Sequence, residues 1–128
     1  MLRLDLPIPP TNNHYKQYYC AQSSRAEPHT IRARLTPAAQ AYKDEVGYRT
    51  NQLIDKPLDV PVRVLIRAYL TSDRRYRADL DNIPKVVFDA LNGIAWTDDR
   101  LVSEYTVINM PGNHSRLRLE VEIEPWAP

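Results

Sequence analysis

Asp79 and Asp81 stand one residue apart in "RADLDNIPKVVFDALNG", residues 77–93. In an extended segment, residues i and i+2 point to the same side. Their alpha carbons would then lie about 7 Å apart, from the strand rise. Two carboxylates so placed can converge on one cation. Like charges at that range resist joint ionisation unless something positive lies between them. All-oxygen ligation favours a hard divalent ion, magnesium or manganese, over zinc. Lys85 lies one helical turn beyond Asp81 on the same face, so it can reach toward the acids without being a ligand. A second acidic pair, Asp98 and Asp99, closes "WTDD" at 96–99. A short connection after Gly93 could return one of these two to the mouth of the site.

Just upstream runs "DRRYR", which carries Arg74, Arg75 and Arg77. Carboxylates, a lysine and a flanking arginine cluster are the parts needed to cleave a phosphodiester. A metal held by the acids would polarise the phosphate and acidify a bound water, while cationic side chains would offset charge developing on the phosphoryl oxygens. Each part also has a plainer reading. Asp81, or Asn82 beside it, can be a helix N-cap. Lys85 and Asp89 can form an exposed i,i+4 pair. Asp98–Asp99 can be a turn. An Asp-x-Asp pair also serves metal-dependent glycosyl and nucleotidyl transferases. No Gly-rich nucleotide loop accompanies it, however, and the chain has only 3 glycines.

The elements that must position these residues are legible in outline. A chain of 128 residues makes one domain with a real core. Its 43% hydrophobic and 26% charged residues are ordinary for a soluble globular protein. No apolar run approaches the ~20 residues of a membrane helix. "MLRLDLPIPP" lacks the apolar centre of a signal peptide, being interrupted by Asp5 and prolines. A single cysteine, Cys20, excludes an intramolecular disulfide and a Cys-rich zinc site. A cytoplasmic protein is expected. Charge is unevenly spread: Arg63, Arg67, Arg74, Arg75 and Arg77 face one acid, Asp73, across 63–77, whereas 98–128 hold six acids against three arginines. Such segregation fits a basic face for an anionic partner, or two solvated strand faces.

"LRLDLPI" alternates and predicts a half-buried strand. "PPTNNHYKQYYCAQSSRAEPHTIRAR" shows no clear period, so a long irregular and functional loop is expected over it. Thr36 and Pro37 open a helix on which Ala39, Tyr42, Val46 and Leu53 recur to about residue 54. "VRVLIRAYL", 62–70, reads as a strand and "TSDRRYRAD" as a loop. A second helix spans 82–92, with Pro84 in its first turn and Gly93 just past its end. "RLVSEYTVI" and "RLRLEVEIE" are two further strands, and Phe88 and Trp96 read as core. The order is strand, helix, strand, helix, strand, strand. It predicts an α+β fold, a mixed and mainly antiparallel sheet with two main helices packed on one face.

"RADLDNIPKVVFDALNGIAWTDDRLV" resembles the core of the RusA family of Holliday junction resolvases, whose signature runs D-L-D-N-x-x-K-x-x-x-D-A-L and then W-x-D-D. "LPIPPTNNHY" is similar to that family's opening strand and the loop after it. The resemblance implies a magnesium-dependent endodeoxyribonuclease, with manganese a possible substitute. It would act as a homodimer that resolves four-way DNA junctions by paired symmetric nicks in recombination and repair. The family's catalytic aspartates fall on Asp79, Asp81 and Asp99, with Asp98 beside the last, and its essential lysine falls on Lys85. Arg74, Arg75 and Arg77 are expected to meet DNA, as are Asn12, Asn13, Tyr15 and Lys16 of the N-terminal loop. One departure is Ala78, where the family often has arginine. A two-fold pair of sites suits a two-fold substrate. A DNA-binding module that does not cut is the alternative. His14, His29 and His114 show no paired spacing for zinc, and Cys20 has no visible catalytic base.

Overall fold

The computed structural model describes residues 1–10, 16–21, 30–70, 80–112 and 114–128, with 16–21 and 30–34 by backbone alone. Six strands and two helices make up the described fold, four of the strands and both helices where the sequence reading placed them. They are β1 (Leu2–Leu6), β3 (Thr30–Leu35) after β2 (Lys16–Ala21), α1 (Pro37–Asn51), β4 (Val62–Tyr69), α2 (Ile83–Leu91), β5 (Val102–Asn109) and β6 (Arg118–Pro125). β2 and β3 are the addition: they pair as an antiparallel hairpin inside the stretch expected to be irregular. β2, KQYYCA, shows no alternation of apolar and polar residues. β3, TIRARL, does alternate, with Ile31, Ala33 and Leu35 between Thr30, Arg32 and Arg34, a short period-two run at the end of a stretch otherwise without one.

The main sheet runs β1-β6-β4-β5. β6 is antiparallel to β1 on one side and to β4 on the other, while β4 and β5 are parallel. The mixed and mainly antiparallel sheet is therefore as expected. One face carries Leu4 and Leu6 of β1, Val62, Val64, Ile66 and Ala68 of β4, and Leu119, Val121 and Ile123 of β6, all buried. These pack in one cluster with Ala39, Tyr42 and Val46 of α1 and Ile83, Val86, Val87, Ala90 and Leu91 of α2. Each strand contributes every second residue, as the two-residue period dictates.

α1 starts as its sequence predicts. Thr36 is extended (φ −69°, ψ 161°), and its hydroxyl accepts from the Ala39 amide at 3.2 Å. The helix stops at Asn51, so Leu53 lies beyond the periodic stretch and is exposed rather than buried. α1 is tied to β1 by Tyr42, whose hydroxyl donates to the Pro7 carbonyl at 3.0 Å, and by Arg49, which donates to the Asp5 carbonyl at 2.6 Å.

The opposite face of the sheet decides between the two charge readings in favour of solvated strand faces. Arg63 and Arg67 do not form a basic surface. β4 lies beside β6, and pairing places the arginines of one strand among the acids of the other. Arg67 Nη1 meets Glu122 Oε1 at 2.7 Å, and Arg63 pairs with Glu124 at 3.4 Å and with Glu104 of β5. Arg3 approaches Glu122 at 3.8 Å, and Arg116 meets Asp5 at 2.6 Å. Charges segregated in sequence are thus neutralised in space. Arg74, Arg75 and Arg77, the rest of that basic run, lie outside the described residues.

The hydrogen bond from Arg67, and then its charge with that of Arg3, hold the Glu122 carboxyl below the usual glutamate range. A lowered native pKa contributes stability that is present above the unfolded carboxylate value and lost as pH falls through the native one. Glu122→Gln removes this titration while keeping the side chain's shape. Urea unfolding from pH 7 down to pH 3 should show a shallower acid-side loss of stability in the variant than in the parent. Identical pH profiles would mean that the Arg67–Glu122 pair carries no weight.

Candidate active site

The site is built where α2 ends and β5 begins. Gly93, at φ 79°, occupies the left-handed conformation that ends the helix, as its position predicted. The chain then turns tightly. Ile94 and Ala95 amides donate to the Leu91 carbonyl at 3.0 and 2.9 Å, and the Gly93 amide donates to the Trp96 carbonyl at 2.7 Å. This turn lies along the segment before β4. The Leu58 amide donates to the Ala95 carbonyl at 2.9 Å, the Thr97 amide to the Leu58 carbonyl at 3.0 Å, and the Thr97 hydroxyl to Asp59 at 2.8 Å. Trp96 is thereby driven fully into the core, edge-on to Phe88 with ring centroids 5.6 Å apart.

A buried indole needs an acceptor for its N–H. Trp96 finds it in Asp99: Nε1 donates to Oδ1 at 2.7 Å. This fixes one oxygen of an otherwise exposed carboxylate. Sequence reading took Trp96 as core alone. It is core, but it also orients the acid three residues on, and the W-x-x-D spacing was the signal that could have shown it. Asp98 does something different. It is the N-cap of a short 3-10 turn, Asp99–Leu101, and accepts from the Arg100 amide at 2.9 Å. Its other oxygen meets the Arg100 guanidinium at 3.2 Å. The Arg100 amide first, and then the guanidinium, hold the Asp98 carboxyl below the usual aspartate range. The turn role foreseen as the plain reading of this pair belongs to Asp98, while Asp99 is directed elsewhere.

At the other end of α2 the plain readings fail. Neither Asp81 nor Asn82 caps the helix through its side chain. Asn82 takes the N-cap position with helical backbone (φ −89°, ψ −17°) and makes no side-chain cap bond. Two facts account for it. A capping side chain reaches the N2 and N3 amides from an extended backbone, and here Pro84 at the second position has no amide to offer. Asp81 is exposed and makes no hydrogen bond or ion pair among the described residues. The Lys85–Asp89 pair of the plainer reading is also absent, because Asp89 turns to Lys43 of α1 at 3.7 Å. Lys85 is exposed and, with Lys56, differs from the other described lysines and arginines, which all meet a carboxylate within 4 Å.

Asp79, Arg74, Arg75, Arg77, Asn12, Asn13 and Tyr15 lie outside the described residues, and Lys16 is placed by its β2 backbone only. Among the described residues, no three acidic, histidine or cysteine side chains gather into a metal-sized cluster, so Asp81, Asp98 and Asp99 do not make one by themselves. His114 stacks edge-on against Tyr69, with centroids 5.1 Å apart, which suits a structural role.

Residues 7–124 match the family model described as Endodeoxyribonuclease RusA. The chain belongs to the RusA family. It is 37% identical over 110 residues to crossover junction endodeoxyribonuclease RusA of Escherichia coli K12, covering 84% of this chain and 82% of that protein. The proteins of the same name from Escherichia coli O139:H28 and from Enterobacteria phage 82 are each 36% identical over the same spans. The matched span runs from just after β1 into β6, so the D-L-D-N run before α2 and the W-x-D-D turn after it lie within it.

Substituting Asp99 separates its anchoring from its charge. Asp99→Asn keeps an oxygen for the indole, whereas Asp99→Ala leaves the N–H without an acceptor in the core. An unsatisfied buried donor costs roughly 1–3 kcal/mol. Urea unfolding monitored by tryptophan fluorescence should find the alanine variant less stable than the asparagine variant by about that much. Equal stabilities would mean the bond does not hold the turn.

Proposed function

We propose that this RusA-family enzyme is a crossover junction endodeoxyribonuclease that cleaves phosphodiesters of four-way DNA junctions with Asp79, Asp81, Asp99 and Lys85. The observation that carries the reading is the state of Asp81 and Lys85. They stand in the family's motif at the first turn of α2, exposed, and neither has a structural partner among the described residues. An acid and a base left without structural work, where most charges of the described residues are paired, point to work on a ligand.

The donor chemistry suits a hard divalent cation, and magnesium is proposed, with manganese as substitute. Asp81 offers both oxygens, and Asp99 keeps Oδ2 while Oδ1 is held by the indole. With Asp79 these residues would hold the ion, which supplies polarisation of the phosphate and a more acidic water. Asp98 is engaged by Arg100 and would stay at the rim. Lys85, one turn from Asp81, is proposed to offset the charge that builds on the phosphoryl oxygens. Arg74, Arg75, Arg77 and the 12–16 segment are proposed to bind the backbone of the junction, with salt-sensitive affinity. The active species is proposed to be a homodimer, since two symmetric nicks ask for two sites. Among the described residues no helix is long and apolar enough to cross a membrane.

Asp81→Asn should abolish nicking of a synthetic mobile junction in magnesium while gel-shift affinity is kept or strengthened, because a charge that repels phosphate is removed. Near-normal cleavage would sink the site assignment. Tight binding by the parent with no cleavage in any divalent ion would favour the non-cutting module.

Lys85→Ala should slow single-turnover cleavage on the order of 100-fold or more, the usual cost of losing one preorganised charge. Its stability should move by only a few tenths of a kcal/mol, as for an exposed residue. Lys85→Arg should rescue poorly, since its planar fork is larger and cannot deprotonate. A rate within threefold of the parent for the alanine variant would make Lys85 a plain surface residue.

A further inference from the structure

The two outer edges of the main sheet are unlike. β1 is short, carries Arg3 and Asp5, and runs directly into Pro7. Those are the devices by which proteins blunt an exposed edge. β5 has none of them. Its eight residues, VSEYTVIN, include a single charge, Glu104, and no proline. Tyr105 is 54% and Ile108 39% exposed. Among the described residues no strand pairs with its outer side.

The hydrogen-bonding polarity of that edge follows from the ladder. Thr106 registers with Leu65, Ile108 with Arg67, and the Met110 amide donates to the Ala68 carbonyl at 2.9 Å. Even-numbered residues therefore bond inward to β4. The N–H and C=O groups of Tyr105, Val107 and Asn109 point outward, because successive residues of a strand bond to opposite sides.

We propose that this edge is the surface on which a second copy of the chain adds, β5 against β5 in antiparallel register, with Thr106 on the two-fold axis. The inference rests on the homodimer reading above and names its interface. A two-fold axis between antiparallel strands stands perpendicular to the sheet, so residues of like parity must pair. Centring on Thr106 sets Tyr105 opposite Val107 of the second copy, and the reverse, as doubly hydrogen-bonded pairs. Aromatic and β-branched partners of this kind are favourable, as is the threonine pair at the axis. Glu104 then faces Ile108 of the second copy and never its own image, so like charges are not opposed. The result is a continuous eight-stranded sheet with both helix layers on one side. Tyr105 also packs edge-on against Phe88, centroids 5.2 Å apart, and Phe88 against Trp96, which holds Asp99. The interface and the W-x-D-D end of the site are thus joined by a short run of rings.

The test is a cysteine at the axis. Opposed residues in a non-hydrogen-bonded antiparallel pair have alpha carbons about 4.5 Å apart, within the range a disulfide spans. In a Cys20→Ser background, Thr106→Cys should form a covalent dimer on mild oxidation with oxidised glutathione. Ile108→Cys should not, since its image lies four residues along the strand, about 13 Å away. Thr106→Lys, which sets two ammonium groups against each other, should shift the chain toward monomer in light scattering while circular dichroism is unchanged. A parent that is dimeric by light scattering, yet gives no crosslink at 106 and an undisturbed Thr106→Lys dimer, overturns this interface and leaves the homodimer intact. A parent that stays monomeric with and without junction DNA overturns the interface and the homodimer together, while junction nicking reports separately on the catalytic reading.

Discussion

An indole buried without an acceptor would be costly, and much of the site's local structure follows from how Trp96 avoids that cost. The ring is placed by a turn that needs the left-handed conformation at Gly93. It is held against Phe88 and beneath the Leu58 segment. Its N–H then selects the one carboxylate within reach, Asp99, and so sets the entry of the chain into β5. A fold requirement and a candidate catalytic residue thereby share one hydrogen bond. The acid is oriented from below by something that cannot move without disturbing the core.

Charge is distributed by the same economy. On the open face of the sheet, arginines and glutamates of neighbouring strands meet, and little net field is left there. Arg118 adds a stacking contact, 3.8 Å over the Tyr69 ring. Exposed pairs of this type add modest stability. Their larger effect is that the unpaired charges at the start of α2 stand out against a neutral background.

Much of the fold was legible in sequence because its signals are local. Period-two alternation in β1, β4 and β6, and Thr36 before Pro37, each act within a few residues of themselves. The hairpin β2–β3 was passed over, since β2 carries no period and the alternation of β3 is confined to six residues beside it. The fate of Arg63 and Arg67 was hidden for another reason. It depends on β6, more than fifty residues away, lying next to β4. The candidate site divides along the same line. Asp81 and Lys85 were proposed from spacing and Asp99 from the family resemblance, but the lysine that Asp89 meets sits on α1. The distinct duties of Asp98 and Asp99 needed the turn geometry.

The position of β6 also bears on how the molecule is made. The last strand in the chain is an inner strand of the sheet, between β1 and β4. β1 therefore has no neighbour to bond in this sheet until β6 has left the ribosome. A nascent chain can form its helices and the parallel β4–β5 pair early, yet it must keep the apolar faces of β1 and β4 unsealed until β6 is made. Long-range closure of this kind slows folding. It also makes assembly all-or-none with respect to the C-terminal strand: a product lacking β6 would expose two strand edges and much of the core, and would be a substrate for proteolysis rather than a weakened enzyme.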